Sequence, residues 1–306
     1  MNSQLIKPLL SHTEPTTMYQ GQLSPAPSNA PVETRHLRAG NLVWNVRVTG
    51  SGPSCLLIHG TGASIHTWEN LVPLLSSRLK LIMIDLPGHA QTHTPDEFDL
   101  TLPGIARELY RLIEEQNLQP DLIVGHSAGA AIMLQMCLDN KHLNSSLVSI
   151  NGAVIPLAGI AGYLFSPLAR MSSTSGWMSH FFALRARNER NVRKLLDSTG
   201  SKIDKTSFSR YTELFQDARH VAGVLKMMAN WQLEKLAPRL GDVQNQVQLI
   251  ASDKDSTIPL RDAYKLNQLL RYSTLSVIKG KGHLVQEEDP SSIARLILAV
   301  SNNHQE

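Results

Sequence analysis

The chain has 306 residues, 42% of them hydrophobic and 18% charged, which suits one large folded domain with an insertion. Its net charge of +3, without a dense run of Lys or Arg, argues against a nucleic-acid-binding protein. No stretch reaches the roughly 18 apolar residues of a membrane span, and the first residues lack the apolar segment of a signal peptide. We therefore expect no transmembrane segment and a cytoplasmic location, with contact at a membrane surface left open.

The predicted elements follow a simple order along the chain. Residues 1–32 are rich in Ser, Thr, Pro, Asn and Gln, and we expect a mobile tail because they have too little apolar surface to fold alone. A leading hairpin is predicted over residues 35–47. Short apolar stretches then alternate with stretches of helical period, which predicts a mostly parallel α/β sheet with helices on both faces. Strands are predicted at 55–58, 79–84, 121–124, 147–150, 247–251 and 273–278, and helices at 102–116 and 130–138.

The most informative motif is Gly125-His126-Ser127-Ala128-Gly129, which stands between a predicted strand and a predicted helix. A strand, a sharp turn that carries a serine and a helix are the parts of a nucleophile elbow. Side chains at Gly125 and Gly129 would collide with neighbouring backbone in such a strained turn. The motif therefore predicts Ser127 as a nucleophile.

A nucleophilic serine needs a base, an acid that orients the base, and donors for the oxyanion. His283 follows Gly-x-Gly after the strand 273–278, so it lies in a loop that can reach the serine. Asp253 and Asp255 both lie in the polar turn after the strand 247–251 and are candidates for the acid. The predicted oxyanion donors are the backbone N–H groups of Thr61, in a glycine-rich loop, and of Ala128.

Two rival classes of site fit the residues less well. The glycines near residue 60 do not complete a dinucleotide-binding Gly-x-Gly-x-x-Gly, because Ile65 occupies the place of the third glycine. The 12 histidines are scattered without a metal-binding pattern, and we interpret His59 as a residue that holds its glycine-rich loop. Cys55 and Cys137 are expected to be buried thiols, which is compatible with a reducing compartment. Acyl transfer by the predicted residues requires neither a metal nor an organic cofactor.

Nearly the whole chain after residue 33 resembles the α/β-hydrolase superfamily. The resemblance implies the α/β-hydrolase fold, with Ser127, His283 and an acid acting together. In the superfamily the acid commonly stands four positions before the proline that closes its turn, which favours Asp255 over Asp253. One departure is Ala90, where many relatives carry glycine. The motifs that carry the resemblance are His59-Gly60-Thr61-Gly62, Asp85-Leu86-Pro87-Gly88-His89, Gly125-His126-Ser127-Ala128-Gly129, Asp255 with Ile258-Pro259, and Gly282-His283 with Glu287-Glu288-Asp289-Pro290.

Four runs carry a narrower resemblance, namely His59-Gly60-Thr61-Gly62-Ala63-Ser64 with Trp68, Gly125 to Ile132, Phe165 to Arg170, and His220 to Trp231. The last run is the most specific because catalysis does not require it. These runs resemble the BchO family, the magnesium-chelatase accessory proteins of bacteriochlorophyll synthesis. The resemblance implies a role near insertion of magnesium into protoporphyrin IX, with magnesium-chelatase subunits as possible partners, but it implies no known reaction.

The predicted organisation is a tail (1–32), a hydrolase core in two parts (33–153 and 236–306) and a helical cap inserted between them (154–235). Aromatic and methionine side chains of the cap are expected to form its own packing unit, with a few lining an apolar pocket. Met227, Met228 and Trp231 are the candidates for that pocket. The basic side chains of the cap either face carboxylates of a substrate or form a solvated helix face. They are Arg185, Arg187, Arg190, Arg193 and Lys194.

Three functions stay open at this point. The first is a tetrapyrrole-pathway protein that supports magnesium chelation, by hydrolysis or otherwise. The second is a general carboxylesterase that acts on small esters. The third is a porphyrin carrier that keeps the fold without the chemistry, since a fold alone does not determine a function.

Overall fold

A computed structural model describes residues 31–156 and 176–302. The predicted tail lies outside these residues except for its last two positions, as does the run Phe165 to Arg170. Within the described part, no helix combines the length and the apolarity that crossing a bilayer requires.

Eight strands form one sheet, in the order β1-β2-β4-β3-β5-β6-β7-β8. The predicted hairpin is present as β1 and β2, and β2 also pairs antiparallel with β4. All other neighbouring strands are parallel, which confirms the predicted sheet. The strands are β1 (Glu33–Ala39), β2 (Leu42–Thr49), β3 (Ser54–Ile58), β4 (Lys80–Ile84), β5 (Leu122–His126), β6 (Ser146–Ile150), β7 (Val247–Ser252) and β8 (Ser273–Ile278).

Apolar side chains cover both faces of the sheet. In β3, Leu56 and Ile58 belong to one buried cluster, whereas Cys55 and Leu57 belong to a second. Successive side chains of a strand point to opposite faces, so the two clusters lie on opposite sides of the sheet. Cys55 and Cys137 are both buried free thiols, as expected.

Helices pack on these two faces and connect the parallel strands. The helix predicted over residues 102–116 is observed almost unchanged, and its first turn is capped by the side chain of Thr101. The helices of the core are α1 (Val72–Leu75), α2 (Leu102–Glu115), α3 (Ala128–Asp139), α8 (Leu260–Leu269), α9 (Val285–Glu288) and α10 (Pro290–Asn302), with short 3₁₀ helices at Ile65–Trp68 and Ala237–Asp242.

The described residues between β6 and β7 form four further helices, called the cap helices here. They are α4 (Gly176–Ala186), α5 (Glu189–Asp197), α6 (Lys205–Gln216) and α7 (Ala218–Asn230). Asn188, Asp204 and Asp217 precede three of them, and each side chain accepts a hydrogen bond from a backbone N–H of the first turn. Polar capping residues thus mark where three helices begin, in the segment for which the sequence predicted a helical cap.

The last cap helix, α7, packs directly on the core. Met227 and Trp231 belong to the same buried cluster as the strand residues of one sheet face. A Cβ atom at Gly223 would lie far inside contact distance of the carbonyl oxygen of Gly88, so the two backbones touch. The expectation that the cap packs as a separate unit is therefore wrong for one side of α7, because Met227 and the following Trp231 complete the core.

Candidate active site

Ser127 lies at the turn between β5 and α3 in a strained conformation. Its φ of 52° and ψ of −116° are unusual for a residue with a side chain. The turn is held by β6 and the chain after it, because the N–H of Ser127 donates to Ile150 O at 3.0 Å and the N–H of Ala153 donates to Ser127 O at 3.0 Å. The surrounding structure thus maintains the strain that presents the serine side chain.

The glycines around the serine are required by close backbone contacts, as the motif predicted. A Cβ atom at Gly129 would lie 2.2 Å from the carbonyl oxygen of Ile58, and one at Gly125 would lie 2.6 Å from the backbone nitrogen of Ala130. A Cβ atom at Gly60 would lie 2.9 Å from the Cβ atom of Ser127. The loop after β3 is therefore packed against the nucleophile elbow, which brings the predicted oxyanion donors near the serine.

The structure brings Ser127, His283 and Asp255 into one chain of hydrogen bonds. His283 Nε2 lies 3.0 Å from Ser127 Oγ, and His283 Nδ1 lies 2.7 Å from Asp255 Oδ2. All three residues are buried, with exposed fractions of 9%, 6% and 8% for serine, histidine and aspartate. With Nδ1 protonated toward the carboxylate, Nε2 is free to accept the hydroxyl proton of the serine.

The two candidate acids have different surroundings. Asp255 Oδ1 accepts hydrogen bonds from the N–H groups of Thr257 and Ile258 at 2.7 and 2.8 Å, which leaves Oδ2 directed to His283. Asp253 is exposed, and its Oδ1 accepts a 2.6 Å hydrogen bond from the N–H of Gly280. Asp253 therefore closes a surface turn, whereas Asp255 is the carboxylate that contacts the histidine.

His59 holds the glycine-rich loop through hydrogen bonds at both ring nitrogens. Its Nε2 accepts a hydrogen bond from the N–H of Leu86 at 2.9 Å, so its Nδ1 carries the proton and donates to Gly60 O at 2.8 Å. The N–H of Thr61 belongs to the same planar trans peptide as this carbonyl and points the opposite way. Ala128 opens α3, so its N–H has no acceptor within the helix.

Two more buried histidines brace the same loop, and the sequence interpretation missed both. His89 Nε2 accepts a hydrogen bond from the N–H of Gly62 at 3.2 Å, and His220 Nδ1 accepts one from the N–H of Ala90 at 3.1 Å. Their rings lie 5.3 Å apart in an edge-on arrangement. Burial lowers the pKa of each to about 3, so both are neutral acceptors. The sequence did offer a signal for both residues, because His89 ends the motif Asp85-Leu86-Pro87-Gly88-His89 and His220 begins the run that ends at Trp231.

Three contacts that no sequence pattern predicted hold the His283 loop in place. Asn151 Nδ2 donates to the carbonyl oxygen of His283 at 2.9 Å, and the ring of His126 contacts the same oxygen through Nε2 at 3.0 Å. From the cap, Thr199 O accepts the N–H groups of Ser256 and His283 at 3.2 and 3.3 Å. Because Ser256 follows Asp255, this one carbonyl holds the loops of both the acid and the histidine.

The three predicted pocket residues have different surroundings. Met227 is fully buried, and its sulfur lies 4.0 Å from Thr61 Oγ1. Trp231 is buried in the cluster that covers the sheet. Met228 lines a groove of about 250 Å³ on the cap, together with Phe182, Leu195 and other mostly apolar side chains. Of the three predicted pocket residues, Met228 borders this groove, whereas Met227 and Trp231 belong to the main buried cluster.

The described residues hold no group of three or more His, Cys, Asp or Glu side chains placed to bind a metal ion.

A model of the alpha/beta hydrolase fold family matches residues 53–290. Together with the sheet order and the serine turn, this match shows that the chain belongs to the α/β-hydrolase fold family.

The relatives define the place of the chain within that family more closely. It is 37% identical over 267 residues to the magnesium-chelatase 30 kDa subunit of Rhodobacter capsulatus, a match that covers 85% of this chain and 92% of that protein. It is 28% identical over 294 residues to a 2-hydroxy-6-oxo-6-(2'-aminophenyl)hexa-2,4-dienoic acid hydrolase of Metapseudomonas resinovorans, covering 91% and 93% of the two chains. The first relative confirms the narrower resemblance inferred from the sequence.

Solved structures agree on the fold. The 2-hydroxy-6-oxo-6-phenylhexa-2,4-dienoate hydrolase of Rhodococcus sp. strain RHA1 superposes with a TM-score of 0.74 at 18% identity, covering 89% of this chain and 99% of that one. At this low identity the likeness concerns the architecture alone.

Proposed function

We propose that the protein is a serine hydrolase in which Ser127 is the nucleophile, His283 the general base and Asp255 the acid that orients the histidine. The observation that carries this proposal is the hydrogen-bonded chain from Ser127 Oγ through both ring nitrogens of His283 to Asp255 Oδ2. The backbone N–H groups of Thr61 and Ala128 serve as the oxyanion hole, and residues 154–235 serve as a cap over the site.

The first half of the reaction forms an acyl-enzyme. Ser127 Oγ attacks the carbonyl carbon of an ester while His283 Nε2 takes the hydroxyl proton. The carbonyl oxygen becomes an oxyanion that accepts hydrogen bonds from Thr61 and Ala128, at the positively polarised end of α3. When the tetrahedral intermediate collapses, the alcohol leaves with the proton from His283, and the acyl group stays on Ser127.

The second half returns the enzyme to its starting state. His283 Nε2 accepts a proton from a water molecule, whose oxygen attacks the acyl carbon. The second oxyanion is stabilised by the same two N–H groups, and its collapse releases the carboxylic acid as the proton returns to Ser127 Oγ. Asp255 stays ionised and stabilises the imidazolium ion that exists in both halves.

A fluorophosphonate probe tests the nucleophile directly. We expect the probe to label the wild-type protein and to fail with Ser127→Ala. Ser146→Ala is a suitable control, since Ser146 is also buried but opens β6 at the opposite end of the sheet from Ser127. Equal labelling of wild type and Ser127→Ala would remove Ser127 from the proposed role.

For the biological role, we propose an accessory protein of magnesium chelatase in tetrapyrrole synthesis for bacteriochlorophyll, located in the cytoplasm. The support is the relative named as a magnesium-chelatase subunit, which aligns over 92% of its length. The substrate is then an ester or a porphyrin-type molecule, and magnesium-chelatase subunits are the expected partners.

Two competing functions are separated by one pair of measurements. The likeness to a dienoic acid hydrolase, an enzyme named for a small-molecule substrate, keeps a general carboxylesterase open as the second function. Such an esterase would cleave small esters without binding protoporphyrin IX. If the protein is a porphyrin carrier, the wild type and Ser127→Ala should bind protoporphyrin IX equally well, and neither should hydrolyse an ester. Titration of protoporphyrin IX beside a panel of esters therefore distinguishes the three functions, and a chelatase assay with added protein tests the accessory role.

A further inference from the structure

The outward faces of α4 and α5 carry an unusual concentration of positive charge. Residues 176–198 contain five basic and two acidic side chains, so this short segment alone equals the +3 net charge of the whole chain. The five basic residues are all exposed, and none forms an ion pair with a carboxylate in the described part of the chain. They are Arg185, Arg187, Arg190, Arg193 and Lys194.

The same two helices expose large apolar side chains. Of the eight large hydrophobic residues that are exposed among those described, four lie here, namely Phe181, Phe182, Leu184 and Leu195. Leu184 and Leu195 are 58% and 50% exposed, beside charged neighbours in the chain. Leu195 and Phe182 also border the apolar groove of about 250 Å³. Exposed apolar groups gathered in this way mark a binding surface, whereas scattered ones do not.

We propose that α4 and α5 form a docking surface for the face of an anionic lipid bilayer, here called the α4–α5 face. The apolar side chains enter the boundary between headgroups and acyl chains. The arginines and the lysine extend along them to reach the phosphates, as basic side chains do on interfacial helices. The negative surface potential of the bilayer attracts these side chains, and each cation near the surface adds separately to the binding free energy.

Charge and composition favour a bilayer over two other occupants. A second copy of this chain would bring together two sets of cations that lack carboxylate partners, which opposes self-association through this face. A protein interface gathers apolar groups into a core from which charged side chains are depleted. On the α4–α5 face, by contrast, Arg185 borders the same apolar groove as Phe182 and Leu195.

Flotation with lipid vesicles tests the proposal. We expect the full-length protein to float with phosphatidylcholine vesicles that contain phosphatidylglycerol, to bind pure phosphatidylcholine far less, and to be released by high salt. Arg190→Gln with Lys194→Gln should weaken binding about thirty-fold at low salt, from two lost cations near the surface. Leu184→Ser and Leu195→Ser should each weaken it about tenfold.

Helix α8 offers a matched control. Arg261 and Lys265 are an exposed basic pair with the same spacing as Arg190 and Lys194, and Tyr264 and Leu269 are exposed apolar residues of that helix. Substituting the first pair by Gln and the second by Ser should leave vesicle binding unchanged. Urea unfolding of every variant shows that each retains the wild-type fold.

Three results would overturn the proposal. One is equal binding of the wild type to anionic and neutral vesicles, or no binding to either, at low salt. Another is an equal loss of binding in the α8 control. The third is a change in self-association, seen by sedimentation, in Leu184→Ser while vesicle binding stays the same, which would assign the face to a second copy. None of these readouts depends on serine chemistry.

Discussion

The hydroxyl group of Tyr211, on cap helix α6, donates a 2.7 Å hydrogen bond to Oε1 of Glu287, four residues after His283. Thr67 Oγ1 donates to the same oxygen at 2.6 Å. Burial raises the pKa of Glu287 to about 7, against 4.5 for the ordinary group, and the nearby carboxylate of Asp204 adds to the rise. A carboxyl group that titrates near neutral pH therefore joins the cap to the core.

The first prediction concerns the pH dependence of stability. Since the folded protein holds the Glu287 proton more tightly than the unfolded chain, the contribution of Glu287 is full below pH 4.5 and is lost as the pH rises toward 7. The side chain in Glu287→Gln cannot ionise, so the stability of this variant does not fall for that reason as the pH rises. The difference in free energy of unfolding between the two proteins should change by at most about 3 kcal/mol across this interval.

Urea unfolding at several pH values measures that difference. Buried neutral histidines such as His59 and His89 act in the opposite direction, because burial lowers their pKa to about 3 and acid therefore destabilises the folded state. Their effect is common to wild type and variant and cancels in the comparison. Glu213→Gln, at an exposed carboxylate of α6, should show the wild-type dependence. A constant difference between wild type and Glu287→Gln would contradict the prediction.

The second prediction separates the two aspartates. Asp255→Asn places an amide at the 2.7 Å contact with His283 Nδ1 and favours the wrong tautomer of the imidazole. Turnover of an ester should fall by about 10⁴-fold, as in the comparable change in a serine protease. Asp253→Asn keeps the oxygen that accepts from Gly280 and should change turnover little. The reverse ranking in a steady-state ester assay would show that Asp255 does not orient the base.

The third prediction concerns the loop that carries Thr61, one of the two proposed oxyanion donors. In Gly60→Ala the new methyl group would lie 2.9 Å from the Cβ atom of Ser127 and 3.0 Å from His126 Nδ1, so the loop must move away. A displacement of about 1 Å should lower kcat by about 10²-fold. Gly241→Ala is the control, because the nearest atom to its methyl group is 3.8 Å away. Equal kcat values for the two variants would show that the loop position is not critical.

The fourth prediction distinguishes core packing from ligand binding on α7. Met227→Ala should cost about 2–5 kcal/mol of unfolding free energy, and Trp231→Ala about 3–5 kcal/mol, because both side chains are buried in the main cluster. Met228→Ala should cost far less, since Met228 borders the cap groove. Urea unfolding measures all three.

The same variants test the porphyrin proposal. Protoporphyrin IX should quench tryptophan fluorescence saturably at micromolar concentration or below, which corresponds to about −8 kcal/mol or better. Met228→Ala should weaken this binding without a loss of stability. If the porphyrin binds no better than it does to an unrelated α/β-hydrolase, the protein does not bind porphyrin specifically.

Local patterns in the sequence are sufficient to predict much of the fold. The apolar stretches around residues 55–58 and 247–251 became central strands, because buried parallel strands are apolar on both faces. The turn with Ser127 was also predictable, since glycine is needed wherever backbones approach closely, as Gly129 approaches Ile58. The contact of Ser127 with His283 was expected from their order along the chain, but its distances were not.

Other features depended on residues far apart in the chain, and only the tertiary structure decided them. The family resemblance already favoured Asp255 over Asp253, but the contact with His283 depends on how the folded turn directs one carboxylate inward and leaves the other exposed. Met227 completes the core while its neighbour Met228 borders a groove, since adjacent helical residues point in different directions. The bond between Tyr211 and Glu287 joins segments 76 residues apart, so its buried carboxyl group exists only in the folded chain. Local periodicity specifies which residues become strands and helices, whereas burial and the meeting of distant side chains arise only when those elements pack.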